Sequence, residues 1–232
     1  SHEAIYQALY ILPRGTLRQE LLSHLRRRHR KRRKRGLIHD RQGKIPNMVS
    51  IHERPQSIEE RRVPGHWEGD LLVGKNHQSA IGVLVERLSR LTLLAKLHGQ
   101  DATEVRRAFV RAFQSLPVGL RRTLTYDRGK EMTQHEQLTI AAGMRVFFCD
   151  PQSPWQRGTN ENTNSLLRQY FPKGTDLSMM SSRELRRVTR LLNTRPRKVL
   201  DFRTPLEVWV QEERRQSANR RTKRAPGVAL KS

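Results

Sequence analysis

One cysteine, Cys149, stands in the 232 residues, so no disulfide can close within the chain. Its place in the apolar run RVFFCD reads as a small core residue of a protein from a reducing compartment. Nine histidines beside a single cysteine offer no zinc-finger spacing, which leaves a structural zinc site unsupported. Long hydrophobic runs are missing too. None approaches the roughly 20 apolar residues of a membrane span, and no signal peptide opens the chain, so the expectation is a soluble, intracellular protein with no membrane partner. Acidic residues are scarce: 22 aspartates and glutamates face 46 lysines and arginines, and a formal charge of +24 calls for a polyanionic partner, nucleic acid first. The length suits one sizeable core with a small second unit or arms. The chain begins at Ser1 without a methionine, as a piece of a longer protein would.

Four segments are expected. Residues 1–25 read as a helical segment in two pieces, with Ile5, Tyr6 and Leu9 on one face before Pro13 and Gly15, and Leu17, Leu21, Leu22 and Leu25 after them. Residues 26–62 read as a basic arm and linker. The arm is Arg26, Arg27, Arg28, Arg30, Lys31, Arg32, Arg33, Lys34 and Arg35, a run that repels itself until phosphates neutralise it, and the linker lacks periodicity and contains Pro46 and Pro55. Residues 63–213 form the core, and 214–232 a loose basic tail.

Within the core, HWEGDLLVG and SAIGVLVERLSRLTLLAKL give three strands that suit an antiparallel meander. A helix follows from Asp101, where Asp101 and Glu104 resemble a capping box. A fourth strand ends at Asp127, a helix runs from about Met132 to Ala142, and RVFFCD is a fifth strand, which makes strand, helix and strand a parallel pair. The expected fold is therefore α/β, a mixed five-stranded sheet flanked by helices, with Ser181 or Ser182 capping one later helix and Thr204–Trp209 lying in the last.

Asp70 shares a face of the first strand with Glu68 and Leu72, and an acid there is costly unless paired or metal-bound. Asp127 sits at the carboxyl end of a parallel strand, where ligands bind. Glu161 opens an amphipathic helix after the loop SPWQRGTN, with Asn160 or Thr159 as its cap and Arg168 two turns behind on the same side. Three carboxylates could hold two Mg²⁺ ions against a phosphodiester. An ordinary solvated helix explains the Glu161 stretch as well, and Glu68, Glu131 and Asp150 are rival acids.

WEGDLLVG, TYDRGKEM and above all DPQSPWQRGTNENTNSLLRQYFPKGTDL closely resemble the insertion-sequence-thirty family of bacterial transposases. The likeness runs over roughly residues 63–210 and includes N-x-R-P from Asn193 and T-P-x-E from Thr204. The 56 residues at positions 71–126 and the 33 at positions 128–160 agree with the family's DDE spacing. The resemblance implies an RNase H-like integrase core in which Asp70, Asp127 and Glu161 are the catalytic, metal-binding triad, Asp70 bridging two Mg²⁺ ions for which Mn²⁺ can substitute. It implies an enzyme that cleaves DNA at the transposon end and joins the 3′ hydroxyl to target DNA, working as a homo-oligomer in the bacterial cytoplasm at the nucleoid. Arg157, Arg168, Lys173 and the arm would contact phosphates, and Trp155 would support the loop or pack. At most the last helix of the family's amino-terminal DNA-reading region is present. A catalytically inactive or truncated DNA-binding remnant and a strand-hydrolysing nuclease are the competing readings.

Overall fold

The computed structural model describes residues 15–23 and 45–224. The chain divides into two compact units, Ser1–Arg41 and Gln42–Ser232. In the first, helix α1 is Thr16–Ser23, where the leucine pattern places it. The expected helix at the amino terminus and the basic arm lie outside the described residues.

The second unit contains β1 (His66–Val73), β2 (Ala80–Glu86), β3 (Thr92–Lys96), α2 (Ala102–Gln114), β4 (Thr123–Tyr126), α3 (His135–Ala142), β5 (Arg145–Phe148), α4 (Gly158–Leu167), α5 (Ser182–Asn193) and α6 (Pro205–Arg224). The strands form one sheet in the order β3-β2-β1-β4-β5. β1, β2 and β3 pair antiparallel, as the meander requires, and β1, β4 and β5 pair parallel.

Alternation along the strands gives the sheet two apolar faces. Trp67, Leu84, Leu124, Tyr126 and Phe148 meet Phe109 and Phe113 of α2, Leu138 and Ala142 of α3 and Trp209 of α6. On the opposite face Leu72, Ile81, Val83 and Val85 meet Leu166 and Leu167 of α4 and Leu185, Val188 and Leu192 of α5. Each such side chain contributes about 1.5–3 kcal/mol by leaving water. Two strand glycines make room for rings: a Cβ on Gly82 would stand 2.5 Å from Phe109, and one on Gly69 2.8 Å from Tyr126.

The helix starts follow their caps. The Asp101 carboxylate accepts the Thr103 and Glu104 N–H groups at 3.0 Å. Glu104 reaches back to the His98 N–H at 3.2 Å instead of closing a box on Asp101. Ser181 and Glu184 do form the reciprocal box at α5. Thr204 and Glu207 do the same work at α6, where the Thr204 N–H donates to Glu207 at 2.7 Å and Thr204 Oγ1 accepts the Glu207 N–H at 3.2 Å.

Two segment boundaries differ from expectation. Residues 45–62 are no free linker: Ile45, Ile51 and Ile58 are buried, the Phe148 N–H donates to the Val49 carbonyl at 2.9 Å, and Ser50 makes a parallel bridge to Phe148. Three lone isoleucines have no helical or strand period, which is why pattern alone passes over them. The tail is helical as far as Arg224, because Glu212–Arg224 has neither glycine nor proline to stop α6. Among the described residues no helix is long and apolar enough to cross a membrane.

At the other edge of the sheet the Asn193 side chain imitates a strand. Its carbonyl accepts the Thr92 N–H and its amide donates to the Thr92 carbonyl, both at 2.9 Å.

Charges are also buried. The Arg87 guanidinium bridges Glu59 at 2.9 Å and Glu68 at 3.3 Å, and the neighbouring Arg54 donates to Glu59 and, at 2.7 Å, to Thr125 Oγ1. Glu68 is wholly buried, so Arg87→Ala would strand its carboxylate and should lower stability by about 3–5 kcal/mol. Urea denaturation measures it, and a loss under about 1 kcal/mol would mean that the pair is not a structural cation–anion contact.

Candidate active site

Glu68, Asp70 and Leu72 alternate along β1 toward the face that α4 covers. The first turn of α4 has free N–H groups and no side chain of its own to accept them. Glu68 supplies the acceptor from the neighbouring strand: its carboxylate takes the Asn160 N–H at 2.9 Å, an anion set at a helix start where the dipole favours it. Asn160 is buried inside the helix and is not its cap. Its amide donates to the Glu68 and Val83 carbonyls at 3.1 and 3.2 Å, stitching α4 to β1 and β2. Thr159 accepts from Arg90 at 2.5 Å and likewise caps nothing. Glu68 therefore positions the helix, and the rival reading of it as the metal-binding acid of β1 loses its ground.

The helix start brings Arg157 between the two aspartates. Its guanidinium lies 3.3 Å from Asp70 Oδ1 and 3.1 Å from Asp127 Oδ2, and it donates to the Gly69 carbonyl at 2.8 Å. Arg157 is buried and lies over the Tyr126 ring, 5.9 Å from its centroid. It was expected at a DNA phosphate and is found instead as the internal counter-ion of the site, because two carboxylates leaving water need a cation nearby. Burial works against its charge, but Asp70 and Asp127 outweigh burial and hold it protonated more firmly than in water.

Asp70 accepts the Leu71 N–H at 2.9 Å and the Asn164 amide at 2.8 Å. Burial first, and then the negative charges of Asp127 and Glu161, push its carboxyl up to about 6 against the pull of Arg157. Asp127 accepts the Gly129 N–H at 3.0 Å. Glu161 is exposed on the first turn of α4. Arg157 thus links Asp70 and Asp127, and Glu161 stands on the first turn of the helix that Arg157 leads into. Among the described residues, however, no three acid, histidine or cysteine side chains are gathered tightly enough to hold a metal ion in this conformation. The donors themselves suit a hard divalent cation: all are carboxylate oxygens, and the mutual repulsion that lifts Asp70 is what such a cation would relieve.

The other candidates divide. Arg168 donates to the Val73 and Phe171 carbonyls at 2.9 and 3.4 Å, tying the far end of α4 to the end of β1. Lys173 is exposed. Trp155 keeps 70% of its surface and does not pin the loop by packing. Glu131 accepts the Tyr126 hydroxyl at 3.2 Å and is pushed up by burial. Asp150 is engaged by the Gln156 amide at 2.8 Å and His52 at 2.9 Å. Cys149 is buried, and burial lifts its thiol to about 11, so it is a core residue. Sequence reasoning missed Asn164, although its place one turn after Glu161 on the same side is a readable signal.

A carboxyl raised in the folded state binds more protons there than when unfolded, so its share of stability is lost as pH rises from about 4 through about 6. Without divalent ions, the melting temperature of Asp70→Asn relative to the parent chain should therefore move in the variant's favour across that window. A difference that is flat with pH would mean that Asp70 does not titrate there.

Residues 60–154 match a family model described as Integrase core domain. The transposase for insertion sequence element IS1086 of Cupriavidus metallidurans is 55% identical over 211 residues, 91% of this chain and 62% of that protein. Transposase InsI for insertion sequence element IS30A of Escherichia coli is 49% identical over 213 residues, 90% of this chain and 55% of that protein. The transposase for IS4351 of Bacteroides fragilis is 38% identical, over 91% of this chain and 64% of that protein. The chain thus spans somewhat over half the length of these relatives. Among solved structures, the catalytic core domain of BIV integrase is similar with a TM-score of 0.50 and 20% identity, over 66% of this chain and 98% of that domain. That likeness is one of fold, the RNase H-like arrangement of a mixed five-stranded sheet with helices on both sides.

Proposed function

We propose, from the premise that this chain is a member of the insertion-sequence-thirty family of transposases with an integrase core domain, that it is the catalytic part of a DDE transposase. In this reading Asp70, Asp127 and Glu161 hold divalent cations, Mg²⁺ or in its place Mn²⁺, at a DNA phosphodiester. Such ions, when bound, supply a Lewis acid and an activated water or 3′ hydroxyl for cleavage and strand transfer.

The observation that carries the reading is the convergence of Asp70 and Asp127 on Arg157, at the start of the helix whose first turn bears Glu161. Asn164 and the Leu71 N–H orient Asp70, Glu68 and Asn160 fix the helix that presents Glu161, and Arg157 keeps the aspartates together while they are otherwise uncompensated. Lys173 and the basic arm at Arg26–Arg35 would neutralise phosphates, whereas Arg168 holds α4 and reaches DNA only with the donors left over. The partners are transposon-end and target DNA in the bacterial cytoplasm, at the nucleoid. Two ends must be brought together, which calls for a homo-oligomer.

A DNA-binding remnant without catalysis is the second reading, favoured by the position Arg157 takes between two of the acids. Purified chain incubated with element-end DNA and Mg²⁺ or Mn²⁺ separates the two. Nicked and joined products are expected, and Asp127→Asn should lower their yield roughly a hundredfold or more while the variant melts as a folded protein. Undiminished activity in that variant would remove Asp127 from the triad, and salt-sensitive binding without products at any metal concentration would favour the remnant.

A further inference from the structure

The segment between α5 and α6 reads RPRKVLDFR from Arg195 to Arg203, four cations against the single acid Asp201. It folds into a tight loop closed by its own backbone. The Leu200 and Phe202 N–H groups both donate to the Arg197 carbonyl, at 2.9 and 3.0 Å, and the Arg197 N–H donates to the Arg203 carbonyl at 3.0 Å. Buried Leu200 and the bond from the Arg197 guanidinium to the Leu192 carbonyl, 3.1 Å, anchor it to the end of α5.

The loop holds two consecutive residues in the left-handed region, Asp201 at φ 52° and Phe202 at φ 63°. For a bulky aromatic this backbone is an outlier, and strain of that kind persists where the surroundings impose it for a use. Its result is unusual: Phe202 keeps 71% of its surface in water and Val199 beside it keeps 65%. An exposed apolar ring thus stands in a loop that also carries Lys198, Arg195, whose guanidinium donates to Gln169 at 3.3 Å, and Arg203, which donates to Gln211 at 2.8 Å. Trp155, the other exposed aromatic ring among the described residues, belongs to the site already described.

We infer that this loop is a second DNA-contact surface, in which Phe202 stacks on an unpaired base while Arg195, Lys198 and Arg203 meet the flanking phosphates. Stacking on an exposed ring needs a base free of its own helix, so the occupant is a single-stranded or frayed DNA segment. A second copy of the chain is the poorer occupant, since it would bring the same basic charges, from a total of +24, against this patch. The inference rests on the proposed DNA reading but not on catalysis.

The test is fluorescence anisotropy in EDTA, with the full chain and two labelled oligonucleotides, a blunt duplex and the same duplex with an unpaired overhang. Phe202→Ala should weaken binding to the overhang about tenfold, the scale of one lost stack. It should leave the blunt duplex and the slope of affinity against salt unchanged, because no phosphate contact is lost. Phe202→Tyr, which retains a ring, should bind as the parent does, and Lys198→Ala should reduce the salt slope by about one. The exposed ring makes Phe202→Ala a variant expected to fold, checked by its melting curve. Unchanged overhang binding, an equal loss on both oligonucleotides, or a changed oligomeric mass in Phe202→Ala would overturn the proposal. Parent chain that bound neither oligonucleotide would overturn the DNA reading itself.

Discussion

The constraint on which the rest depends is that the central strand carries two acids on a face that a helix covers. A carboxylate under such a roof must find a cation or several donors, since its loss of hydration costs more than any packing there returns. Glu68 is answered by Arg87 and by the start of α4, and Asp70 by Arg157, Asn164 and its own strand. The two acids are treated differently. Glu68 is fully enclosed and its partners are all structural. Asp70 keeps part of its surface in water and lies in the field of two further acids, one of which, Glu161, is open to solvent.

Helix α4 inherits its orientation from that arrangement. Its first turn is fixed by a carboxylate from β1 and its last by Arg168 reaching the Val73 carbonyl, so both ends are tied to the same strand. A helix held at two points delivers Glu161 and Asn164 to one side of β1 with little freedom, the preorganisation that a site assembled from distant segments requires. Arg157 stands where the chain turns into this helix. Its charge is more firmly held than in water, so part of the negative charge of Asp70 and Asp127 is already offset, and any incoming cation must compete with a guanidinium in place.

Much of this was legible in the residues. HWEGDLLVG and the run rich in Val, Ile and Leu after it placed three strands, and the strand, helix and strand around Asp127 gave the parallel pair. The family resemblance added the fold type and put forward Asp70, Asp127 and Glu161 as a triad. What escaped was whatever depends on contacts between distant segments. The cap of α4 was sought in Asn160 and Thr159, beside the helix, and lies in Glu68, 92 positions away. Arg157 looked like a phosphate ligand because a basic residue in a polar loop is usually exposed, and only the folded geometry shows two aspartates closing on it. The isoleucines at 45, 51 and 58 carried no period, so the segment that seals one side of the core looked like a tether.

Each margin of the sheet is met from within at one position. On one side the Val49 carbonyl takes the Phe148 N–H, and on the other Asn193 satisfies both backbone groups of Thr92. Open margins are where β-proteins add foreign strands and grow into aggregates. With these positions plugged, copies of this chain at high local concentration are deterred from zipping sheet to sheet there.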